Sequence, residues 1–329
     1  MATSEDPAGG GEMSYNNGLT LSNIRRRADN GWTVWSVENP NQLTAVAGYL
    51  RFKAHHGYAF YRGESALRGT MLASAFRPHA DGSGHQGLTQ LQFDGHAAAM
   101  RTYVDRLFGA ACACTGGPFS FANAHRCLEV ASRASRSSAA LVSGTYRAVV
   151  EPLLQHYGIK TRWLDVVDNI WVALWFACFR QVSVGRYAHH VRRSVSSEGV
   201  SAKAYVIIFQ TEPLEETGVP GYRVGQRTRA VDLRYSVPSV YLRPHAQHGA
   251  LIAPAVVGGD LLGSLHESVA GVIEVGLNDA LDWLGSGSMT SAGTLFPSAS
   301  FDDGYRRLLD YAPEPPPKMG NLTIFGPLV

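Results

Sequence analysis

The sequence is poor in cysteine, and it contains no long apolar run. Four cysteines in 329 residues are too few for a disulfide scaffold, and the first residues lack the charged-then-apolar pattern of a signal peptide. The longest uncharged apolar run, residues 170–179, is about half of the roughly 20 residues that a membrane-spanning helix needs. These absences predict a cytoplasmic protein with no membrane partner.

Charge is also scarce, since only 17% of the residues are charged. The 29 basic and 27 acidic residues nearly cancel, so composition implies no strongly basic surface. Hydrophobic residues make up 45% of the chain, which is enough for a sizeable core.

Several familiar catalytic motifs are missing. The sequence has no phosphate loop of the form GxxxxGK[ST], no GxGxxG after a strand and no GxSxG nucleophile elbow. His266-Glu267 begins like a zinc-protease helix, but Ala270 stands where the second metal ligand would be needed. We therefore expect no metal site.

Hydrophobic patterning predicts an α+β fold, because helical periodicity dominates the first half and short β-branched runs dominate the second. One early strand, residues 58–61, lies between glycines. The expected helices packed on this mostly antiparallel sheet include 91–108, 141–155, 169–181, 278–284 and 302–311, and the later strands are 205–209, 230–233, 249–257 and 271–275.

Three segments lack apolar periodicity, and we expect two of them to flank a packed domain at 19–312 and the third to be an insertion within it. Residues 1–18 are predicted to be a disordered tail, and 183–202, rich in serine and arginine, an exposed insertion. Residues 313–329 begin with a proline-rich run and are predicted to be a C-terminal tail.

Arg62 is the first candidate functional residue. It follows the aromatic strand and precedes Gly63, so its planar guanidinium could face a phosphate or carboxylate where the backbone permits close approach. The alternative is that Arg62 pairs with a buried carboxylate such as Asp165 and only stabilises the fold.

A second candidate region is residues 155–165, which join two apolar helices. Six polar or titratable groups are crowded into these eleven residues. Each has an ordinary explanation alone: His156 as a core histidine, Thr161 and Asp165 as turn or cap residues, Arg162 as a paired arginine. Together they would be costly to bury unless they hydrogen-bond to one another or to a ligand.

These residues resemble the FRG-domain family. Phe60-Tyr61-Arg62-Gly63-Glu64 is similar to the motif that names it, and 155–165 followed by 172–177 is similar to its His-Tyr-Gly, Thr-Arg-x-Leu-Asp and buried-helix block. Arg243 with Gln247-His248-Gly249, and 294–297, match shorter motifs. The resemblance extends over about 32–311, with departures at Val166-Val167 and at His248.

A weaker likeness connects this arrangement to ADP-ribosyltransferases, which implies a split sheet and NAD as co-substrate. By this likeness Arg62 would hold the NAD phosphates or ribose, and Tyr61 or Tyr157 would face the nicotinamide. Gln247 would take the late polar role by positioning rather than by proton transfer. The implied catalytic set is Arg62, Gln247 and His156; the implied NAD-binding set is Tyr61, Gly63, Tyr157, Thr161, Arg162 and Asp165; Glu64, Glu267 and Glu274 are the alternative carboxylates.

The implied activity is therefore NAD-dependent ADP-ribosyl transfer or NAD cleavage, as in a toxin or a phage-defence effector. The macromolecular acceptor, protein or nucleic acid, stays open. The alternative from another class is a non-catalytic module that binds a nucleotide or a phosphorylated ligand with the same residues.

Overall fold

The computed structural model describes residues 21–54, 56–77, 90–113, 147–237, 239–255, 264–286, 290–316 and 319–325. The strands within these ranges are β1 (Arg25–Asp29), β2 (Trp32–Val37), β3 (Ala59–Glu64), β4 (Leu164–Val167), β5 (Phe179–Val184), β6 (Tyr187–Arg192), β7 (Lys203–Gln210), β8 (Glu215–Glu216), β9 (Tyr222–Val224), β10 (Thr228–Asp232), β11 (Gly249–Pro254), β12 (Val269–Gly276) and β13 (Ile324–Phe325). The α-helices are α1 (Pro40–Lys53), α2 (Gln90–Ala113), α3 (Arg147–His156), α4 (Ile170–Cys178), α5 (Val195–Glu198), α6 (Leu233–Ser236), α7 (Leu242–Ala246), α8 (Leu277–Leu284), α9 (Ala292–Leu295) and α10 (Asp303–Tyr311).

Ten strands form one open sheet in the order β1-β2-β12-β7-β3-β4-β11-β10-β9-β8. All neighbours in it are antiparallel except β2 and β12, which run parallel. A second sheet has the order β13-β6-β5. The prediction of an α+β fold with a mostly antiparallel sheet is confirmed.

Helices cover one face of the large sheet in two groups. Helices α1, α4 and α8 pack over β2, β12, β7 and β3, and α2, α3 and α10 pack with β10 and β11. The pairs Tyr61–Val167 and Leu251–Asp165 place both groups on the same face, because residues that pair across strands point the same way. The groups meet where β3 and β4 are neighbours.

Helix starts follow from local capping. Asn39 caps α1 by accepting a hydrogen bond from the Gln42 backbone N–H (3.0 Å), and Pro40 occupies its first position. Helix α4 is buried on most sides, as its apolar sequence indicates. Its cap is Asn169, and it ends at Cys178, before the predicted 181, because Phe179 already has extended backbone.

The exposed insertion expected at 183–202 is instead folded. Strands β5 and β6 form a hairpin, and Arg193 is buried, donating to the carbonyls of Ala177 (2.6 Å) and Lys203 (2.9 Å). Only Val184, Tyr187, Val191 and Val200 expose large apolar surfaces here. The sequence is polar here because little of the hairpin is buried, and not because the segment is an irregular loop.

The C-terminal residues 319–325 also differ from the expected tail. Met319, Leu322 and Phe325 are buried, and β13 pairs in parallel with β6. Residues 1–18 lie outside the described ranges. Among the described helices, none combines the length and the apolar character needed to cross a membrane.

Candidate functional site

A cleft of about 590 Å³ opens where β3 and β4 separate. These neighbouring strands share a single residue pair, Tyr61 with Val167. Beyond this pair β3 continues through Arg62 to Glu64, and β4 turns away toward Asp165. The end of α3, helix α4, strands β5 and β6, Phe296 and residues 323–325 supply the other walls.

Arg62 bridges the gap between the two strands. Its Nη1 donates to the backbone carbonyl of Asp165 (2.6 Å), and its Nε donates to Glu64 Oε1 (2.6 Å). The guanidinium thus replaces ladder hydrogen bonds that the separated strands cannot make. Arg62 pairs with Glu64 and not with the Asp165 carboxylate, and its Nη2 has no hydrogen-bond partner among the described residues.

Glu64 is a largely buried carboxylate of this cleft, with 13% of its side chain exposed. Arg68 and Arg77 lie 3.7 and 3.9 Å from its oxygens. Burial acts to raise the pKa of Glu64, but the charges of Arg62 and Arg77 outweigh it and hold that pKa below its ordinary value. The charge of Arg62 and burial together lower the pKa of Arg77 to about 10, so Glu64 and Arg77 are both ionised at neutral pH.

Cations outnumber carboxylates in the cleft. Within the described part of the chain, two acidic side chains line it, Glu64 and Asp165. The five cations are Arg62, Arg68, Arg77, Lys160 and Arg180. Such an excess inside a concave surface focuses positive potential and favours an anionic ligand. The sequence patterns singled out Arg62 and the region 155–165, which contains Lys160, whereas Arg68, Arg77 and Arg180 lie in no motif that marks a site.

His156 is a titratable group in the cleft wall with only 3% of its side chain exposed. Its Nε2 lies 3.7 Å from Asp165 Oδ1, and neither ring nitrogen makes a hydrogen bond within the described part of the chain. Burial lowers the pKa of His156 to about 4, so the ring is neutral at pH 7. A Cβ on Gly249 would lie 2.3 Å from His156 Cε1, which explains the glycine there.

Six of the predicted site residues line the cleft: Tyr61, Arg62, Gly63, His156, Asp165 and Gln247. Gln247 is buried, and its Nε2 donates to the Leu295 carbonyl (2.8 Å). The Asp165 side chain is 41% exposed and accepts a hydrogen bond from Gln155 Nε2 (2.7 Å). Asp165 is therefore not the partner suggested for Arg62, and the largely buried carboxylate that pairs with Arg62 is Glu64.

The other three predicted residues hold the fold together beside the cleft. Tyr157 is fully buried, and its hydroxyl donates to Asp302 Oδ2 (2.7 Å). Thr161 donates to Gln155 Oε1 (2.5 Å). Arg162 makes two side-chain hydrogen bonds to Glu151, of 3.0 and 2.6 Å. These positions give the three residues structural roles, and Tyr157 cannot stack on a ligand without leaving the core.

Aromatic side chains form a wall of the cleft, hereafter the aromatic wall: Phe176, Phe179, His190, Phe296 and Phe325. The His190 ring stacks 4.1 Å from Phe296 and lies 5.5 Å from Phe325. Burial, with a contribution from Arg243, lowers the pKa of His190 to about 4. The wall is therefore uncharged at neutral pH.

Arg243 lies behind the aromatic wall and is completely buried. Its guanidinium is 4.4 Å from the Tyr157 ring and 4.6 Å from the rings of Tyr305 and Phe325. Its Nη1 donates to the His156 carbonyl (2.5 Å). This cation–π cage fixes the backbone that presents His156 to the cleft.

Within the described residues, no group of three or more His, Cys, Asp or Glu side chains could hold a metal ion. The preference of the cleft for an anionic ligand therefore rests on its arginine and lysine side chains.

Residues 58–184 match the family model of the FRG domain. The matched segment contains β3, α3 and α4 and therefore Arg62, Glu64 and His156; Gln247 and the far side of the aromatic wall lie beyond it. No curated protein and no solved structure was found to match the chain. The matching family model identifies a domain type and assigns no activity to it.

Proposed function

We propose that the cleft binds a nucleotide, with NAD as the candidate ligand. The observation that carries this proposal is the pairing of five cations with an uncharged aromatic wall in one cavity. Arginine and lysine suit phosphate oxygens, and aromatic rings suit a flat base. A volume of about 590 Å³ lies within the roughly 300–1,000 Å³ typical of small-molecule sites.

Calorimetry with NAD, ADP and adenosine tests this proposal. We expect NAD and ADP to bind and adenosine to bind at least about tenfold more weakly, because each lost charge-assisted hydrogen bond is worth roughly 1.5–3 kcal/mol. Equal affinity for adenosine and ADP would contradict a phosphate site.

A matched pair of variants locates the binding. Arg68 and Arg180 are exposed at the cleft, so the double variant Arg68→Gln, Arg180→Gln should fold normally and bind ADP at least tenfold more weakly, since each charge-assisted bond contributes about 1.5 kcal/mol or more. The control Arg51→Gln, Arg101→Gln removes the same charge from exposed positions outside the cleft. Equal losses in both variants would show that only net charge matters.

Cleavage of NAD is the second candidate function, and Glu64 favours it. Breaking the nicotinamide–ribose bond develops positive charge on the sugar, as in glycoside hydrolysis, and Glu64 is a carboxylate kept ionised in the cleft. Water or an acceptor hydroxyl would add to the ribose carbon, nicotinamide would leave with the bonding electrons, and the nucleophile would release a proton. The separation of β3 from β4 beside Arg62 is consistent with the split-sheet arrangement that the weaker resemblance implies.

Release of nicotinamide from NAD distinguishes the two functions. A cleaving enzyme should release nicotinamide, and Glu64→Gln should lower turnover more than NAD affinity. Binding without release would assign the cleft to a recognition module. The experiment needs soluble, folded Glu64→Gln protein, which circular dichroism verifies.

A further inference from the structure

A second cavity, of about 250 Å³, lies between the C-terminal end of α1 and one end of the large sheet. It shares no lining residue with the cleft. Strands β1, β2, β7 and β12 contribute to it. Its lining residues are Arg26, Thr33, Trp35, Tyr49, Leu50, Lys53, Gln210 and Ala270.

Edge strand β1 contains three consecutive arginines, and two of them form ion pairs with carboxylates. Arg25 is bonded to Glu38 (2.9 Å), and Arg27 is bonded to Asp29 and Glu274. Arg26, which points to the opposite face because side chains alternate along a strand, has no carboxylate partner in the described structure. Its guanidinium lies 4.9 Å from the centre of the Trp35 ring, directly across the strand pair.

Lys53 is a second cation without a carboxylate partner among the described residues. Its Nζ lies 4.8 Å from the centre of the Tyr49 ring, and both residues line the same cavity. Among the residues that the structure describes, none that is acidic lines the cavity. Two cations held over aromatic rings therefore face one small space with no anion to neutralise them.

Trp35 adds an unsatisfied donor. The residue is 4% exposed, and its indole N–H has no acceptor among the described residues. A buried donor without an acceptor costs roughly as much as a lost hydrogen bond, so such groups call for an explanation. An acceptor bound in the cavity would supply one.

The sheet is irregular at this cavity. The register between β12 and β7 shifts between Val269 and Gly271, which places the bulged residue Ala270 in the cavity wall. A Cβ on Gly271 would lie 2.9 Å from Leu50 Cδ1 and 3.6 Å from Trp35 Nε1, so the glycine keeps the space beside the indole N–H free. Bulges of this kind commonly reshape a strand next to a site.

We propose that this cavity binds a small anion, a phosphate or a carboxylate, between Arg26 and Lys53. The Trp35 indole N–H donates to one of its oxygens. The C-terminal carbonyls of α1 oppose the anion through the helix dipole, so we expect an affinity near the millimolar range, on the order of 1 mM.

The indole N–H signals of isotope-labelled protein test this proposal. The sequence has six tryptophans, and Trp35→Phe assigns the relevant cross-peak by removing it. We titrate inorganic phosphate, phenyl phosphate and benzoate separately and expect the Trp35 peak to move in a saturable way. Movement with either phosphate identifies a phosphate site, and movement with benzoate alone identifies a carboxylate site.

Charge variants provide the control. Arg26 and Lys53 are exposed, so Arg26→Gln, Lys53→Gln should fold normally and weaken the response of the Trp35 peak by at least roughly tenfold. Arg25→Gln, Arg51→Gln removes the same charge from the same strand and helix and should leave it unchanged. A Trp35 peak that none of the three anions moves, or equal weakening in both double variants, overturns the proposal.

Discussion

At the scale of single residues, the cleft combines ionised and neutral groups for different physical reasons. Glu64 is buried but remains ionised because arginines surround it. His156 and His190 are neutral because burial lowers the pKa of each ring to about 4, against the charge of Asp165 at His156 and together with the charge of Arg243 at His190. Charge in the cleft is thus concentrated in arginine and lysine, while the imidazoles offer hydrogen bonds or ring surfaces.

The two histidines predict how stability depends on pH. In the folded protein each has a pKa of about 4, against an ordinary value of 6.5, so the unfolded chain binds more protons between these values. The free energy of unfolding should therefore be fully retained above pH 6.5 and fall as the pH drops toward 4, by up to about 3 kcal/mol for each histidine. Urea unfolding at pH 7 and pH 4.5 measures this.

Variants assign the effect to the two histidines. His156→Gln and His190→Gln should each reduce the loss between pH 7 and pH 4.5, whereas His56→Gln, at an exposed position, should not. An unchanged loss in the double variant His156→Gln, His190→Gln would mean that other groups govern the acid sensitivity.

At the scale of elements, the hairpin β5–β6 and strand β13 together complete the cleft. Phe325 on β13 lies 4.6 Å from Phe296, and its ring also covers the Arg243 guanidinium. The C-terminal strand thus shields a buried cation as well as forming part of the aromatic wall.

Phe325→Ala tests this role. Truncating a buried phenylalanine costs about 3–5 kcal/mol, and here it also uncovers Arg243. Phe301→Ala makes the same change at a side chain that is 78% exposed and should alter stability by less than about 0.5 kcal/mol. Urea unfolding compares the two, and equal stabilities would show that β13 does not pack on the domain in solution.

The elements also show what could be predicted from sequence. Helices α1 and α4 could be predicted, because Asn39-Pro40 is a strong signal for a helix start and the sequence of α4 is apolar on all sides. Hairpin β5–β6 could not be predicted. Only Ala188 is buried in β6, so the alternation of apolar and polar residues that marks a strand is weak there. The pairing of β13 with β6 joins segments far apart in the chain, and no local pattern encodes it.

The residues of the candidate site also divide into those that the sequence could indicate and those that it could not. Arg62 and His156 stood out because polar residues interrupt apolar segments. Arg68, Arg77 and Arg180 reach the cleft only through the tertiary fold, and Tyr157 and Arg162 stood out equally but are occupied by Asp302 and Glu151. Sequence shows that buried polar groups need partners; it does not show whether the partner is the protein or a ligand.

At the scale of the whole molecule, the cleft lies where the two helical groups on one sheet face meet, so core packing and the site depend on each other. Gly63 is the point of contact. A Cβ there would lie 1.8 Å from the Ala173 carbonyl oxygen and 2.6 Å from the Ala177 backbone nitrogen. The glycine of the Arg-Gly motif therefore serves the approach of α4 to β3, although it also lines the cleft.

Gly63→Ala should consequently disturb the core and the cleft together. Relief of the clash requires α4 to move away from β3, at a cost above the roughly 1–3 kcal/mol typical of overpacking, since backbone rather than a flexible side chain must shift. Arg62 and Glu64 flank this glycine, so the nucleotide affinity of the folded fraction should fall as well.

Gly48→Ala is the control. A Cβ at Gly48 would have no atom within 4 Å, and the residue lies inside α1, where alanine should stabilise the protein by about 0.5–1 kcal/mol. Urea unfolding and calorimetry with ADP measure both quantities, and a Gly63→Ala protein as stable as wild type would show that α4 and β3 are not in the contact described.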